Sequence, residues 1–296
     1  MKFTNATPVF NKGSGNSKPK AKKIVVTNEE IASVIDQKRK DPLVISIVGK
    51  ADTCKSGLLC DIVAKYLPEG KVAIILDFDH SIKPIMDEFF PEHIDKFFII
   101  NATAFGKDYK KGHVVALAAL QQVIKDQRDN VGLLATEGMD RLLQRSFKMT
   151  LQARGYNMED MSFFGKGGNT EFTPTDWMVR NDYNFDPFDM MFNYASELGV
   201  PFIMTTHTED KINSRREIIK KDSPIWYKIM PDYEYYRFTT KKKIDGDKVT
   251  RYCVCDKARI KTDLFGDEHI VQEFNTKTKE KTWYGICDYL KENGLL

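Results

Sequence analysis

Leu43-Val44-Ile45-Ser46-Ile47-Val48-Gly49-Lys50-Ala51-Asp52-Thr53-Cys54-Lys55-Ser56 is the stretch on which the fold turns. Its first half is a short apolar run rich in β-branched residues and reads as a buried strand. The run stops at Gly49. Beyond Lys55-Ser56, Leu58, Leu59, Ile62, Val63, Tyr66 and Leu67 fall at helical spacing. Strand, loop, Lys-Ser and helix in that order make the setting of a phosphate-binding loop. Gly49, Lys50, Ala51, Asp52, Thr53, Cys54, Lys55, Ser56 and Gly57 are then expected to wrap a triphosphate. Amides of the loop and helix start face the phosphates, Lys55 neutralises the β- and γ-oxygens, and Ser56 Oγ sits on Mg²⁺. One position departs from G-x-x-x-x-G-K-[ST]: Cys54 stands where the second glycine does. A residue with a Cβ takes an unusual backbone angle there only at a cost of roughly 1 kcal/mol.

Working outward, further apolar runs at residues 71–77, 97–100, 131–136 and 201–205 read as strands, and helical periodicity marks residues 114–124 and 185–198. Strands that are apolar throughout, alternating with helices, predict a mostly parallel sheet covered on both faces. The last third changes character. Residues 233–241 and 248–256 alternate around Ile244-Asp245-Gly246-Asp247, which predicts a β-hairpin. A strand at 269–274 and a helix at 283–291 follow as an antiparallel extension and a closing element. On the N-terminal side, residues 1–26 form a basic arm rich in Gly, Ser, Asn, Pro and Lys, and Thr27-Asn28-Glu29-Glu30 opens a helix with Ile31, Val34 and Ile35 on one face. The expected organisation is an arm over 1–26, a core over 27–266, and a strand and helix over 267–296.

Hydrolysis of a triphosphate needs a carboxylate beside the metal, a group that activates water, and a polar γ-phosphate sensor. In open parallel sheets these sit at the carboxyl ends of strands. Asp77-Phe78-Asp79-His80 ends the second strand; Asp79 is the candidate base, and Asp77 orients the water or the metal. Ala135-Thr136-Glu137-Gly138-Met139-Asp140 ends the fourth. Glu137 is the candidate for the metal side, with Thr136 or Asp140 able to take that place. Thr205-Thr206-His207-Thr208 ends the fifth, with His207 as the sensor and Thr206 as its alternate.

The 296 residues suffice for one large α/β domain, and the net charge of +3 leaves any nucleic-acid contact to local patches. The five cysteines, Cys54, Cys60, Cys253, Cys255 and Cys287, are scattered without zinc-site spacing, which points away from a structural zinc and towards a reducing cytoplasm. No apolar run of membrane-spanning length and no signal peptide is expected. Residues 144–182 read as a long, mostly aperiodic stretch. Arg145, Lys148, Arg154, Lys166 and Arg180 are interleaved there with Phe147, Tyr156, Phe163, Phe164, Phe172 and Trp177, and Gly165-Lys166-Gly167-Gly168 lies among them. Phosphate neutralisation plus stacking is what a nucleic-acid single strand requires. A polar loop over 209–224, with Arg215, Arg216, Lys220 and Lys221, is a second candidate. The run Lys241-Lys242-Lys243 reads as a solvated turn.

With these residues placed, the chain resembles the RecA-like P-loop ATPases, most closely their phage and archaeal branch of recombination or single-strand-annealing type. Leu76-Asp77-Phe78-Asp79-His80-Ser81-Ile82-Lys83-Pro84 is similar to the segment that carries the catalytic glutamate, with Asp79 on that glutamate. Thr136-Glu137-Gly138-Met139-Asp140-Arg141-Leu142 resembles the Walker B stretch, with Glu137-Gly138 in place of an Asp-Ser pair. Pro201-Phe202-Ile203-Met204-Thr205-Thr206-His207 resembles the sensor strand, and Lys257-Ala258-Arg259-Ile260-Lys261 the closing basic strand, from which a cation reaches a neighbouring subunit's nucleotide. The resemblance spans roughly residues 43–266. It implies an α/β fold with a RecA-like core and a C-terminal antiparallel hairpin extension, Mg²⁺-dependent ATP hydrolysis, a homo-oligomer, and action on single-stranded or duplex DNA. Two rivals stand beside it: a nucleotide-binding DNA scaffold with little turnover, and another P-loop motor of packaging or helicase type.

Overall fold

The computed structural model describes residues 41–155, 172–213, 217–226 and 230–296. In chain order, β1 (Val44–Gly49) leads through the loop into α1 (Lys55–Tyr66), then β2 (Val72–Asp77) and α2 (Ile82–Phe89). A 3-10 turn (Pro91–Lys96) precedes β3 (Phe97–Asn101), and α3 (Tyr109–Asp126), β4 (Val131–Glu137) and α4 (Met139–Ala153) follow. Next come α5 (Pro174–Leu198), β5 (Phe202–Ile212), β6 (Ile218–Pro224) and the short α6 (Met230–Tyr233). The chain closes with β7 (Tyr236–Asp245), β8 (Lys248–Ala258), β9 (Glu268–Asn275), β10 (Lys281–Trp283) and α7 (Cys287–Glu292).

One sheet runs in the order β10-β9-β8-β7-β1-β5-β4-β2-β3, with β6 paired to β5 alone. β1 lies between β5 and β7, parallel to both, and the β5-β4-β2-β3 half is parallel throughout. β8, β9 and β10 add antiparallel strands, as the alternation around Gly246 predicts. Successive residues of a strand face opposite sides, so each parallel strand feeds two cores. Ile45, Ile47, Ala73, Ile75, Leu133 and Ile203 meet α1 and α7 on one face. Val44, Val48, Ile74, Leu76, Leu134 and Met204 meet α3, α4 and α5 on the other. Among the described residues no helix is long and apolar enough to cross a membrane.

Four expectations are corrected. The stretch 144–182 is helical at both of its described ends: α4 runs to Ala153, and α5 begins at Pro174 rather than near 185. That earlier start is a capping box. Thr173 Oγ1 accepts from the Asp176 amide, and the Asp176 side chain accepts from the Thr173 amide. The stretch 209–224 is a hairpin rather than a loop, because β5 continues past the sheet and folds back as β6. The closing helix is shorter than expected: Lys281–Trp283 is a strand, and the helix begins at Cys287. The arm over 1–26, the helix after Thr27, and Tyr156, Phe163, Phe164, Lys166, Arg215 and Arg216 lie outside the described residues.

Candidate phosphate-binding site

The turn between β1 and α1 is built on close approach. A Cβ on Gly49 would lie 2.0 Å from Thr240 Oγ1 and 2.7 Å from Thr53 Oγ1, so only glycine fits. Those hydroxyls bond each other at 2.6 Å, and Thr240 Oγ1 also donates to the Val48 carbonyl at 3.0 Å. Asp52 and Cys54 have φ of 60° and 73°. Cys54 therefore occupies, with a side chain, the left-handed conformation that glycine adopts freely. Among the described residues, the amides of Ala51, Asp52, Cys54, Lys55 and Ser56 have no backbone acceptor, which leaves the loop and the start of α1 lined with open donors. Lys55 is buried and curls inward, its Nζ donating to the Lys50 carbonyl at 2.9 Å. Burial holds its pKa below the ordinary lysine value, against the pull of Glu137, Asp140 and Asp79.

Beside this turn the sheet register assembles a polar cluster. Gly49 pairs with His207, and Asp77 with Glu137. Glu137, 1% exposed, accepts from Ser56 Oγ at 2.6 Å and Ser81 Oγ at 2.9 Å on one oxygen, and from Thr205 Oγ1 at 2.6 Å on the other. Ser81 Oγ also donates to Ser56 Oγ at 2.9 Å. Burial pushes the Glu137 carboxyl above its usual range, opposed by the three hydroxyls and reinforced by the nearby Asp77 charge. Of the three candidates after β4, Glu137 is the one that touches Ser56. Thr136 Oγ1 is buried without a partner, and Asp140 turns to His207.

The remaining candidates occupy distinct places. Asp77 Oδ1 accepts from the amides of Asp79 and His80 at 2.9 and 2.8 Å, so it caps the turn after β2 and has no bond to Ser56. Asp79 faces the cleft, and Arg141 Nε donates to it at 3.0 Å. Gly138, with φ 76°, lets Asp79 approach: a Cβ there would lie 2.9 Å from Asp79 Cβ. His207 Nδ1 and its amide both meet Asp140 Oδ1, at 3.0 and 3.1 Å, and the ring borders the cleft. Burial would raise the Asp140 carboxyl, but the His207 hydrogen bonds outweigh it and hold it below the usual range.

The outer side chains of the turn are held by the rest of the sheet. Asp52 pairs with Lys242 at 2.7 Å and with Arg251 Nη2 at 2.7 Å, so Lys242 of the expected solvated turn reaches the loop. Lys50 pairs with Asp210 and Asp222 of the β5-β6 hairpin at 3.3 and 3.6 Å. Lys257, in the expected basic strand, bonds the buried Glu234 at 3.2 Å. Beyond the loop lies a cleft of about 490 Å³, bordered by residues 51–57, by Asp79, Ser81 and His207, and by side chains of α2, β8, β9 and β10.

The Ser56-Glu137-Ser81 cluster offers oxygen donors only, which suits a hard divalent cation. Among the described residues no group of three His, Cys, Asp or Glu could hold a metal. A Mg²⁺ here would rest on Ser56 with Glu137 in support and would depend on phosphate oxygens for the rest, as Mg²⁺ commonly does. Ser81, Thr205, Arg141 and Arg251 were not singled out from the sequence. Ser81 and Thr205 could have been suspected, since each lies within two residues of a candidate.

On the helical side, cations lie over aromatic rings. Arg145 and Lys148 of α4 each lie 5.0 Å from the Tyr109 ring centre, Lys111 lies 5.2 Å from Phe105, and Arg180 lies 5.0 Å from Trp177. Phe147 stacks on Phe172 at 4.6 Å.

No family model matches the sequence, and no curated protein matches it. Among solved structures the chain is similar to a KaiC-like protein from the hyperthermophilic archaeon Pyrococcus horikoshii OT3, with a TM-score of 0.45 and 14% identity over 82% of this chain and 89% of that one.

Proposed function

We propose that the chain is a RecA-like P-loop ATPase that binds ATP with Mg²⁺ and hydrolyses it. The observation that carries this reading is the hydrogen bond from Ser56, at the start of α1, to the buried Glu137 at the end of β4. A phosphate-binding loop and an acidic strand end are brought together where a triphosphate-bound cation needs both. In this reading the open amides of the loop bind phosphoryl oxygens, and Lys55 neutralises them. Mg²⁺, when bound, neutralises charge on the phosphates. Asp79 orients the attacking water, with Arg141 fixing its rotamer. His207, held by Asp140, senses the γ-phosphate. The five cysteines are free, as in the reducing cytoplasm proposed for the chain.

The test is Lys55→Ala, measured by calorimetry with Mg-ATP. Loss of at least tenfold in affinity, with unchanged folding, is expected. Binding equal to wild type would refute the site.

The reading extends to DNA and to a homo-oligomer. Support for DNA is the set of cation and ring pairs on α3, α4 and α5, the chemistry of phosphate contact plus base stacking. Arg145→Ala and Lys148→Ala should weaken single-strand binding and flatten its salt dependence. A second reading, a nucleotide-binding scaffold with little turnover, is favoured by the Asp79-Arg141 pair, which ties the candidate base to a cation. Phosphate release with and without single-stranded DNA separates the two.

A further inference from the structure

We propose that the cleft beyond the loop seats the aromatic base of the nucleoside triphosphate, with the Trp283 indole as its platform. This rests on the phosphate-binding reading above and adds what the loop alone does not supply, a reason for the protein to prefer a nucleotide to a bare polyphosphate.

The cleft is continuous with the loop and, at about 490 Å³, falls within the usual range for small-molecule sites. Its far wall changes character. Ile85 and Phe89 of α2, Phe90, Phe274 of β9 and Trp283 of β10 border it, and all but Phe90 are only half-buried. Phe89 and Trp283 pack against the core on one side and border the cleft on the other, so each is half-buried with ring surface towards the cleft.

Trp283 is placed by the chain and held there. Its ring lies against the first turn of α1, where a Cβ on Gly57 would come within 2.9 Å of it. Its indole Nε1 donates to Asp61 Oδ1 at 3.2 Å. Asp61, fully buried on α1, also accepts from the amides of Ile286 and Cys287 at 2.7 and 2.9 Å. The helix that starts at the phosphate loop therefore also fixes the platform's orientation. Phe90 meets the indole edge-on at 6.5 Å. Lys281 Nζ sits 3.7 Å from the Phe89 ring centre, adding a cation at the mouth. The polar side chains nearby are largely committed to each other: Arg251 Nη1 donates to Gln272 Oε1 at 2.7 Å while its Nη2 holds Asp52. The wall thus offers ring faces more than free hydrogen-bonding edges, and recognition is by stacking.

The experiment compares ATP with inorganic tripolyphosphate, each with Mg²⁺, by calorimetry on the full chain. Trp283→Ala should weaken ATP binding about tenfold, the usual worth of one stacked base, and leave tripolyphosphate binding unchanged. Phe89→Ala, which leaves the Asp61 contacts intact, should act in the same direction. Trp283→Phe should retain most of the affinity but lose the quenching of tryptophan emission by ATP. Unchanged ATP affinity in both alanine variants, or equal weakening of ATP and tripolyphosphate, would overturn the proposal. Lys55→Ala distinguishes the two failures: it weakens both ligands if the phosphate site is right, whatever the aromatic wall does.

Discussion

Cys54 and Glu137 show how much single residues carry here. Cys54 holds a φ of 73° with a side chain attached, and its Sγ makes only a long contact to Gln272 Oε1 at 3.5 Å. Cys54→Gly should therefore raise the unfolding free energy by about 1 kcal/mol in urea titration, since the strain outweighs the lost contact. Glu137 has its pKa raised from 4.5 by burial. Between that value and the raised one, the folded chain holds the proton more tightly than the unfolded chain does. Stability from this group is thus fully present below pH 4.5 and falls as pH rises through the folded value. Glu137→Gln should remove that loss, so the nucleotide-free variant gains on wild type between pH 4.5 and neutrality while losing Mg²⁺-dependent ATP binding. Urea midpoints at both ends of the window, paired with calorimetry, read both effects. The need for an unusual backbone angle at Cys54 was legible in the sequence, because the spacing from Gly49 marks the position. The burial of Glu137 was not, because its partners Ser56, Ser81 and Thr205 come from three other parts of the chain.

At the scale of elements, α1 does two jobs from opposite ends of its first two turns. Ser56 meets Glu137 at the proposed phosphate site, with Lys55 beside it, and Asp61 binds the amides that begin α7. Asp61→Ala leaves two buried amides and the Trp283 indole without their acceptor and should cost about 3 kcal/mol, the scale of losing hydrogen bonds to a buried charge. A shift of the urea midpoint with an unchanged slope would show that the fold survives. The same variant should weaken ATP more than tripolyphosphate if the platform depends on that anchor. Elements rich in local signal were readable: β1, β2, β4 and the β7-β8 hairpin lie close to where apolar runs and turn residues put them. The β5-β6 hairpin was not: beyond Thr208 β5 turns polar, and β6 exposes Ile218 to Lys221, with Lys220, Lys221 and Asp222 breaking any apolar pattern. A strand of that composition carries no apolar alternation, and only its ladder to β5 defines it.

For the whole molecule, the site joins distant parts of the sequence: the turn after β1, the ends of β2, β4 and β5, and side chains from β8, β9 and β10. A ligand that binds there and not to the unfolded chain stabilises the whole fold. Mg-ATP at a hundredfold over its Kd should raise the unfolding free energy by about 2.7 kcal/mol, and a chelator should remove most of that gain. Denaturant titrations with and without EDTA check it, and no gain with Mg-ATP would count against the nucleotide reading. The sequence by itself determined the local pieces: a strand, a turn with Lys55 and Ser56, a helix, and polar residues after later strands. Those follow from periodicity and backbone chemistry within a dozen residues. Only the tertiary structure decided which acid meets Ser56, that Asp77 caps a turn, that Lys242 and Arg251 hold Asp52, and that Trp283 lies over Gly57. Strand alternation says which face a side chain takes but not which strand lies beside it, and these contacts depend on that pairing.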